Sequence, residues 1–136
     1  MRNTAKAILG TSAVALLLSA VATTPAVHAA GQVPDAKVCN DKANPPKDAV
    51  TKGGCVVINR RKGNCMACHQ IAGISSGNVA PPLVAMQARF PDKAKLRAQI
   101  EDATKLNPKS VMPPFGRHEI LTKEEIDQVV EFVLTL

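Results

Sequence analysis

The sequence has no tryptophan, no tyrosine and only three phenylalanines, Phe90, Phe115 and Phe132, in 136 residues. Domains of this size normally draw much of their buried area from aromatic side chains. This one therefore has either an aliphatic core or a bound apolar body in place of the missing rings. No basic stretch is interleaved with aromatics, so nucleic acid is not an expected partner. Cysteine is scarce as well: four residues, Cys39, Cys55, Cys65 and Cys68. Four cysteines are too few for a disulfide-built scaffold of this length, and their spacing decides what they do.

Two of them form Cys65-Met66-Ala67-Cys68-His69, which reads C-x-x-C-H, the attachment signal of c-type haem. Two thiols three positions apart reach the two vinyl groups of a porphyrin, and the histidine after the second lies under the iron. Two other readings compete. A redox C-x-x-C accompanies a βαβ pattern, and none is visible. A zinc site needs more ligands at zinc-like spacing, and Cys55-x9-Cys65 is a poor fit. One covalently bound haem c is the expected cofactor, held through Cys65 and Cys68 with His69 as an axial iron ligand.

The start of the chain reads as an address. Arg2 and Lys6 make a basic n-region, Ala7–Ala22 is small and apolar without charge, and Val27-His28-Ala29 offers small residues at the −3 and −1 positions. This is a secretory signal peptide, with cleavage expected before Ala30. A membrane anchor is the weaker reading, because the apolar run falls short of a bilayer span. Export agrees with haem attachment outside the cytoplasm, so the expected location is the periplasm, with no membrane anchor after cleavage. The mature chain of 107 residues is enough for one domain. It loses two of the seventeen basic residues and none of the eleven acidic ones, leaving +4 before the haem propionates. A mild positive balance steers acidic partners.

Three segments are expected: the signal peptide 1–29, an irregular arm 30–54 rich in Gly, Pro, Lys and Asp, and a cytochrome c domain 55–136. In an oxidising compartment Cys39 and Cys55 are expected to bridge and to pin the arm to the start of the first helix. The competing reading is a reactive thiol at one of them. A helix over 54–62, ending at Gly63, leads into the motif. Arg60, Arg61 and Lys62 lie just before it, available to propionates or an acidic partner.

Beyond the motif, Gln70–Val79 is a loop, followed by Ala80-Pro81-Pro82. A metal-bound histidine usually donates its other ring N–H to a carbonyl or carboxylate; the Pro81 carbonyl is the expected acceptor from His69, against a plain rigid turn. Residues 91–103 read as a helix, with Pro91 in its first turn and Leu96, Ile100 and Ala103 on one face. Thr122-Lys123-Glu124-Glu125 is a capping box. Ile126, Val129, Val130 and Val133 then form one face of a terminal helix, with Phe132 and Leu134 at its margins, expected to cross the helix before the motif.

Between the last two helices stands Asn107-Pro108-Lys109-Ser110-Val111-Met112-Pro113-Pro114. Met112, 43 residues after His69, is the expected second axial ligand. Histidine plus thioether makes an electron-transfer haem of raised potential. Met66 lies inside the attachment loop and cannot cross to the other face. Met86 reads as core. His118 would give a two-histidine haem of lower potential.

The order of these elements resembles the all-α class I cytochrome c fold. Over residues 63–136 the likeness narrows. Gly63-Asn64-Cys65 through His69, Gly77-Asn78-Val79-Ala80-Pro81, Asp102 through Pro108 leading to Met112-Pro113, and the ending from Ile120 are similar to SoxX, the family of small cytochrome subunits of SoxAX complexes. That resemblance implies periplasmic thiosulfate oxidation. The complex joins thiosulfate to a cysteine of the carrier SoxYZ (an L-cysteine S-thiosulfotransferase) and releases two electrons. The implied partners are a SoxA-like haem subunit in a heterodimer, a SoxYZ-like carrier in transient contact and a soluble acceptor cytochrome. It also implies His69 and Met112 as axial ligands and no catalytic residue on this chain. A free-standing electron carrier fits the haem and the methionine loop equally well, and a haem sensor with an exchangeable sixth ligand is a third reading.

Overall fold

The structure is a computed structural model that describes residues 31–136. The signal-peptide reading of 1–29 and its cleavage site lie outside the described residues. Five helices and no strands occur among them: α1 (Ala36–Asn40), α2 (Ala49–Ile58), α3 (Met86–Arg89), α4 (Lys93–Glu101) and α5 (Lys123–Val133). Two 3-10 turns, Cys65–Ala67 and Ala103–Lys105, punctuate the connections. The fold is all-α.

The frame is the crossing of α2 and α5, the most extensive helix–helix contact. α5 begins at a complete capping box. Thr122 Oγ1 accepts from the Glu125 N–H, and a Glu125 oxygen accepts from the Thr122 N–H, both at 3.1 Å. Its apolar face then buries Ile126, Val129, Val130, Phe132 and Val133. Phe132, expected at the margin, is fully buried, because α2 comes close enough to cover it. Each such side chain contributes about 1.5–3 kcal/mol relative to exposure.

α2 differs from its expected limits. It starts at Ala49, six residues before the Cys55 limit drawn for the domain, because Asp48 caps it by accepting from the Thr51 N–H at 2.7 Å. It ends at Ile58, short of Gly63. Gly53 and Gly54 look like helix breakers in sequence, each costing about 1 kcal/mol against alanine. Here they are the contact surface. A Cβ on Gly53 would overlap the Gln128 carbonyl of α5, so the two backbones approach as closely as they do only because that position is glycine. The arm before α2 is less irregular than expected, since Asp35 caps α1 by accepting from Lys37 N–H.

α4 packs on the other side of α5. Leu96 and Ile100 are buried as expected, but the helix stops at Glu101, short of 103, because Asp102 caps the 3-10 turn in which the buried Ala103 lies. Asp92 is the N-cap of α4, so Pro91 precedes the helix instead of lying in its first turn. Polar pairs tie the two helices: Arg97 Nε donates to Asp127 at 2.6 Å, and Lys93 pairs with Glu131. The Cys39–Cys55 disulfide, with Cα atoms 5.4 Å apart, joins α1 to α2. No helix among the described residues is long and apolar enough to cross a membrane.

Candidate haem site

α2 aims the motif. After Ile58 the chain turns back on itself, with Asn64 N–H donating to the Asn59 carbonyl at 3.0 Å. Asn64 takes a left-handed conformation at φ 46° and starts the 3-10 turn that carries Cys65 and Cys68. Asparagine tolerates that region better than most residues. The Ala67 and His69 amides bond back to Asn64 and Cys65 at 2.9 Å, closing the arch. Cys65 and Cys68 are the two unbridged cysteines among the described residues. Burial pushes the Cys65 thiol up to about 11. A redox C-x-x-C works through a lowered thiol, so this environment speaks against the redox reading.

The loop 70–80 is stitched to the motif along its length. Gly77 N–H donates to Met66 O at 2.8 Å, Ala80 N–H to Cys68 O at 3.0 Å, and Leu83 N–H to Gln70 O at 2.9 Å. A Cβ on Gly77 would overlap the Ala67 carbonyl, so the close approach depends on glycine there. This stitching delivers Pro81. His69 Nδ1 lies 2.7 Å from the Pro81 carbonyl. A carbonyl only accepts, so the proton is on Nδ1 and the lone pair is on Nε2. Nε2 is thus the nitrogen left free to bind a metal, in an orientation fixed by backbone.

Met112 is half-buried and packs at the edge of the core; its N–H donates to Ser110 Oγ at 3.2 Å. Met86 is buried core, with Arg89 donating to its sulfur at 3.3 Å. His118 is exposed in a turn, its N–H bonded to Pro114 O. Lys62 is not available to a propionate as expected: it pairs with Glu125 of α5, leaving Arg60 and Arg61 exposed beside the motif.

The residues present fit a covalent haem. Both thiols are unbridged on one turn, and the histidine has a free Nε2. Large apolar side chains stand exposed in the segments next to His69 and Met112: Val79 (76%) and Val84, then Leu106 and Val111 (87%). Single exposed aliphatics are ordinary, but these four fall in the segments a flat apolar macrocycle would cover. No group of three or more His, Cys, Asp or Glu side chains suited to a metal ion occurs among the described residues, so the zinc reading finds no ligand set. Two open grooves flank the motif. One, about 490 Å³, is lined by Ile71, Ile74 and Val84 among others; the second, about 320 Å³, by Arg60, Asn64 and Met66. Neither is lined by His69 or Met112, so neither is the space between the two candidate axial residues.

The family described as cytochrome c oxidase, cbb3-type, subunit III matches residues 54–133, from the glycine pair of α2 to the end of α5. The chain belongs to that family. It is a c-type cytochrome domain carrying covalent haem c, and its role is electron transfer. No curated protein matches this cytochrome. When bound, haem c takes up and releases one electron at its iron. The chain's own residues do the rest. Cys65 and Cys68 would anchor the ring, the Pro81 carbonyl holds the His69 ring in one tautomer, and the backbone bonds of 66–83 fix where that carbonyl stands.

One part of the site has no local signal in sequence. The ends of the Met112 loop are joined by Asp102 and Arg117, whose side chains meet only once the chain has folded.

Proposed function

We propose that this cytochrome is the electron-accepting subunit of a SoxAX-like complex in the periplasm. The supporting observation is the Asn107-Pro108-x-x-x-Met112-Pro113 stretch together with the fate of the four cysteines. Joining a thiolate to thiosulfate forms one S–S bond and releases two electrons. The thiolate sulfur and thiosulfate are oxidised together, and no group leaves. On this chain two cysteines belong to the haem motif and two are bridged, so no thiol remains to carry sulfur covalently. The bond therefore forms elsewhere, on a SoxA-like partner and the SoxYZ-like carrier. This chain accepts the electrons one at a time and hands them to a soluble cytochrome. In this reading His69 and Met112 hold the iron from opposite faces, both axial positions are filled, and substrate has no open coordination site.

The test is co-purification of the tagged chain from its native host grown on thiosulfate, with haem counted against polypeptide. A second haem-bearing chain in stoichiometric amount is the expected result. One haem per chain and no partner under gentle conditions would overturn the complex and leave a free-standing carrier. For the axial ligand, Met112→Ala is expected to lower the midpoint potential and admit external ligands to the iron. An unchanged potential and ferric spectrum would remove Met112 from the iron.

A further inference from the structure

The segment that carries Met112 leaves α4 at Glu101 and returns at Gly116. Its mouth is closed at two adjacent points. The Gly116 N–H donates to the Glu101 carbonyl at 2.9 Å. Each closing residue's C-terminal neighbour makes the second contact: Arg117 Nε stands 3.4 Å from Asp102 Oδ2. A Cβ at Gly116 would sit 2.6 Å from Glu101 Cγ, so any side chain there would have to displace the Glu101 side chain. The tip is different. Leu106–Lys109 are exposed; their backbone bonds run only to nearby turns, Leu106 and Asn107 N–H to the Ala103 carbonyl and Ser110 N–H to the Asn107 carbonyl.

Asp102 is 2% exposed and is the one buried charged residue among the described residues. A carboxylate stays ionised there only if its oxygens are satisfied. Oδ1 is used by Thr104, whose N–H donates at 3.1 Å and whose hydroxyl also donates. That caps the 3-10 turn opening the loop. Oδ2 is used by Arg117, which reaches in from the surface with its side chain half exposed. One buried carboxylate thus orders the outgoing strand of the loop with one oxygen and ties the returning strand with the other. A cap alone would not require burying a charge, because exposed Asp35, Asp48 and Asp92 cap helices in this chain.

We propose that Asp102 and Arg117 are positioning residues for Met112: a clasp across the mouth of the 102–116 loop that sets how firmly the sulfur is kept on the iron. This rests on Met112 being the axial ligand. The clasp acts by fixing the distance between the two segments from which the tip is hung, so the sulfur's competition with other ligands is won by restricting the loop's freedom.

The test uses the haem-loaded protein. Imidazole is titrated into the ferric form while the methionine–iron charge-transfer band is followed, in the wild type and in Arg117→Gln, Arg117→Lys, Asp102→Asn, Met112→Ala and Lys93→Gln. The last breaks a pair on the far side of α5. Arg117→Gln is expected to raise imidazole affinity about tenfold, the scale of one lost charge-assisted contact. Asp102→Asn should move it the same way, Arg117→Lys should recover most of the difference, and Lys93→Gln should leave affinity unchanged. If Arg117→Gln lowers thermal stability but imidazole affinity stays at the wild-type value while Met112→Ala raises it, the clasp is structural only and the proposal fails alone. If Met112→Ala itself leaves band and affinity unchanged, the axial assignment fails and takes the clasp with it.

Discussion

The two segments that flank the haem site are secured in opposite ways. The histidine side, residues 65–83, is bonded rung by rung to neighbouring backbone, and His69 ends on a proline carbonyl that cannot move without undoing the rungs beside it. The methionine side, residues 102–116, is tied at its mouth and anchored by the buried Ala103 and Phe115, while between them it has only short turns and the Met112 N–H bond to Ser110 Oγ. Backbone pairing inside a packed interior is hard to open locally, whereas a loop held at its ends opens at far lower free energy. His69 is therefore built into the scaffold, whereas Met112 is presented by a loop. If both bind iron as proposed, the methionine is the one whose loss would be reversible.

The comparison can be broken most severely at Gly77. Replacing it with alanine forces a Cβ into the Ala67 carbonyl, and about 3 kcal/mol of stability should be lost, the upper range for overpacking. The His69 orientation should go with it, seen as heterogeneous ferric spectra. A variant that melts normally with a single spectrum would mean that the stitching is loose. Removing the disulfide as Cys39→Ser with Cys55→Ser should cost about 3 kcal/mol or less on the chain-entropy account. It lies outside both flanking segments and should leave imidazole affinity unchanged, so a changed affinity would show that the arm reaches the site. Ser110→Ala removes the hydroxyl that accepts from Met112 N–H. It should cost about 1 kcal/mol, read as a small rise in ligand exchange with stability nearly intact.

The smallest effect is the acid response. Asp102 lies below the ordinary carboxylate value: the Thr104 hydroxyl bond lowers it most, against burial, with the Thr104 N–H bond next and the Arg117 and Lys105 charges after it. Glu125 is also lowered: burial pushes it up, but Lys62 and the Thr122 N–H together outweigh burial. A depressed folded value stabilises the fold fully above the unfolded value, near pH 4, and that stability is lost as pH falls through the folded value. Urea midpoints should therefore be flat above about pH 5 and decline below it, with a shallower decline in Arg117→Gln. Identical acid slopes in the two proteins would remove Arg117 from the account of Asp102.

The parts of this fold that were legible in sequence are those with local causes. C-x-x-C-H is contiguous, the α5 capping box is four residues long, and Leu96, Ile100 and Ala103 keep helical spacing. The α2 limits were not legible, because Gly53 and Gly54 signal a break unless Gln128 is known to lie against them. Lys62 looked free because Glu125 is 63 residues away. The clasp was invisible for the same reason. Asp102 reads as a cap and Arg117 as a surface charge, and only the return of the loop brings them together.

The crossing at Gly53 has a consequence for which length changes the chain tolerates. Residues 59–122 form a single excursion that departs from that crossing and comes back to it. Closing an excursion costs entropy that grows only with the logarithm of its length, about 0.6 kcal/mol per doubling. Insertions or deletions at its exposed tips, near Gly73 or Lys109, are therefore cheap. Within α2 or α5, one added residue rotates everything beyond it by roughly 100°, and the glycine no longer faces Gln128. Related domains should thus differ in length around the iron and agree in length within the two helices that cross at the glycine.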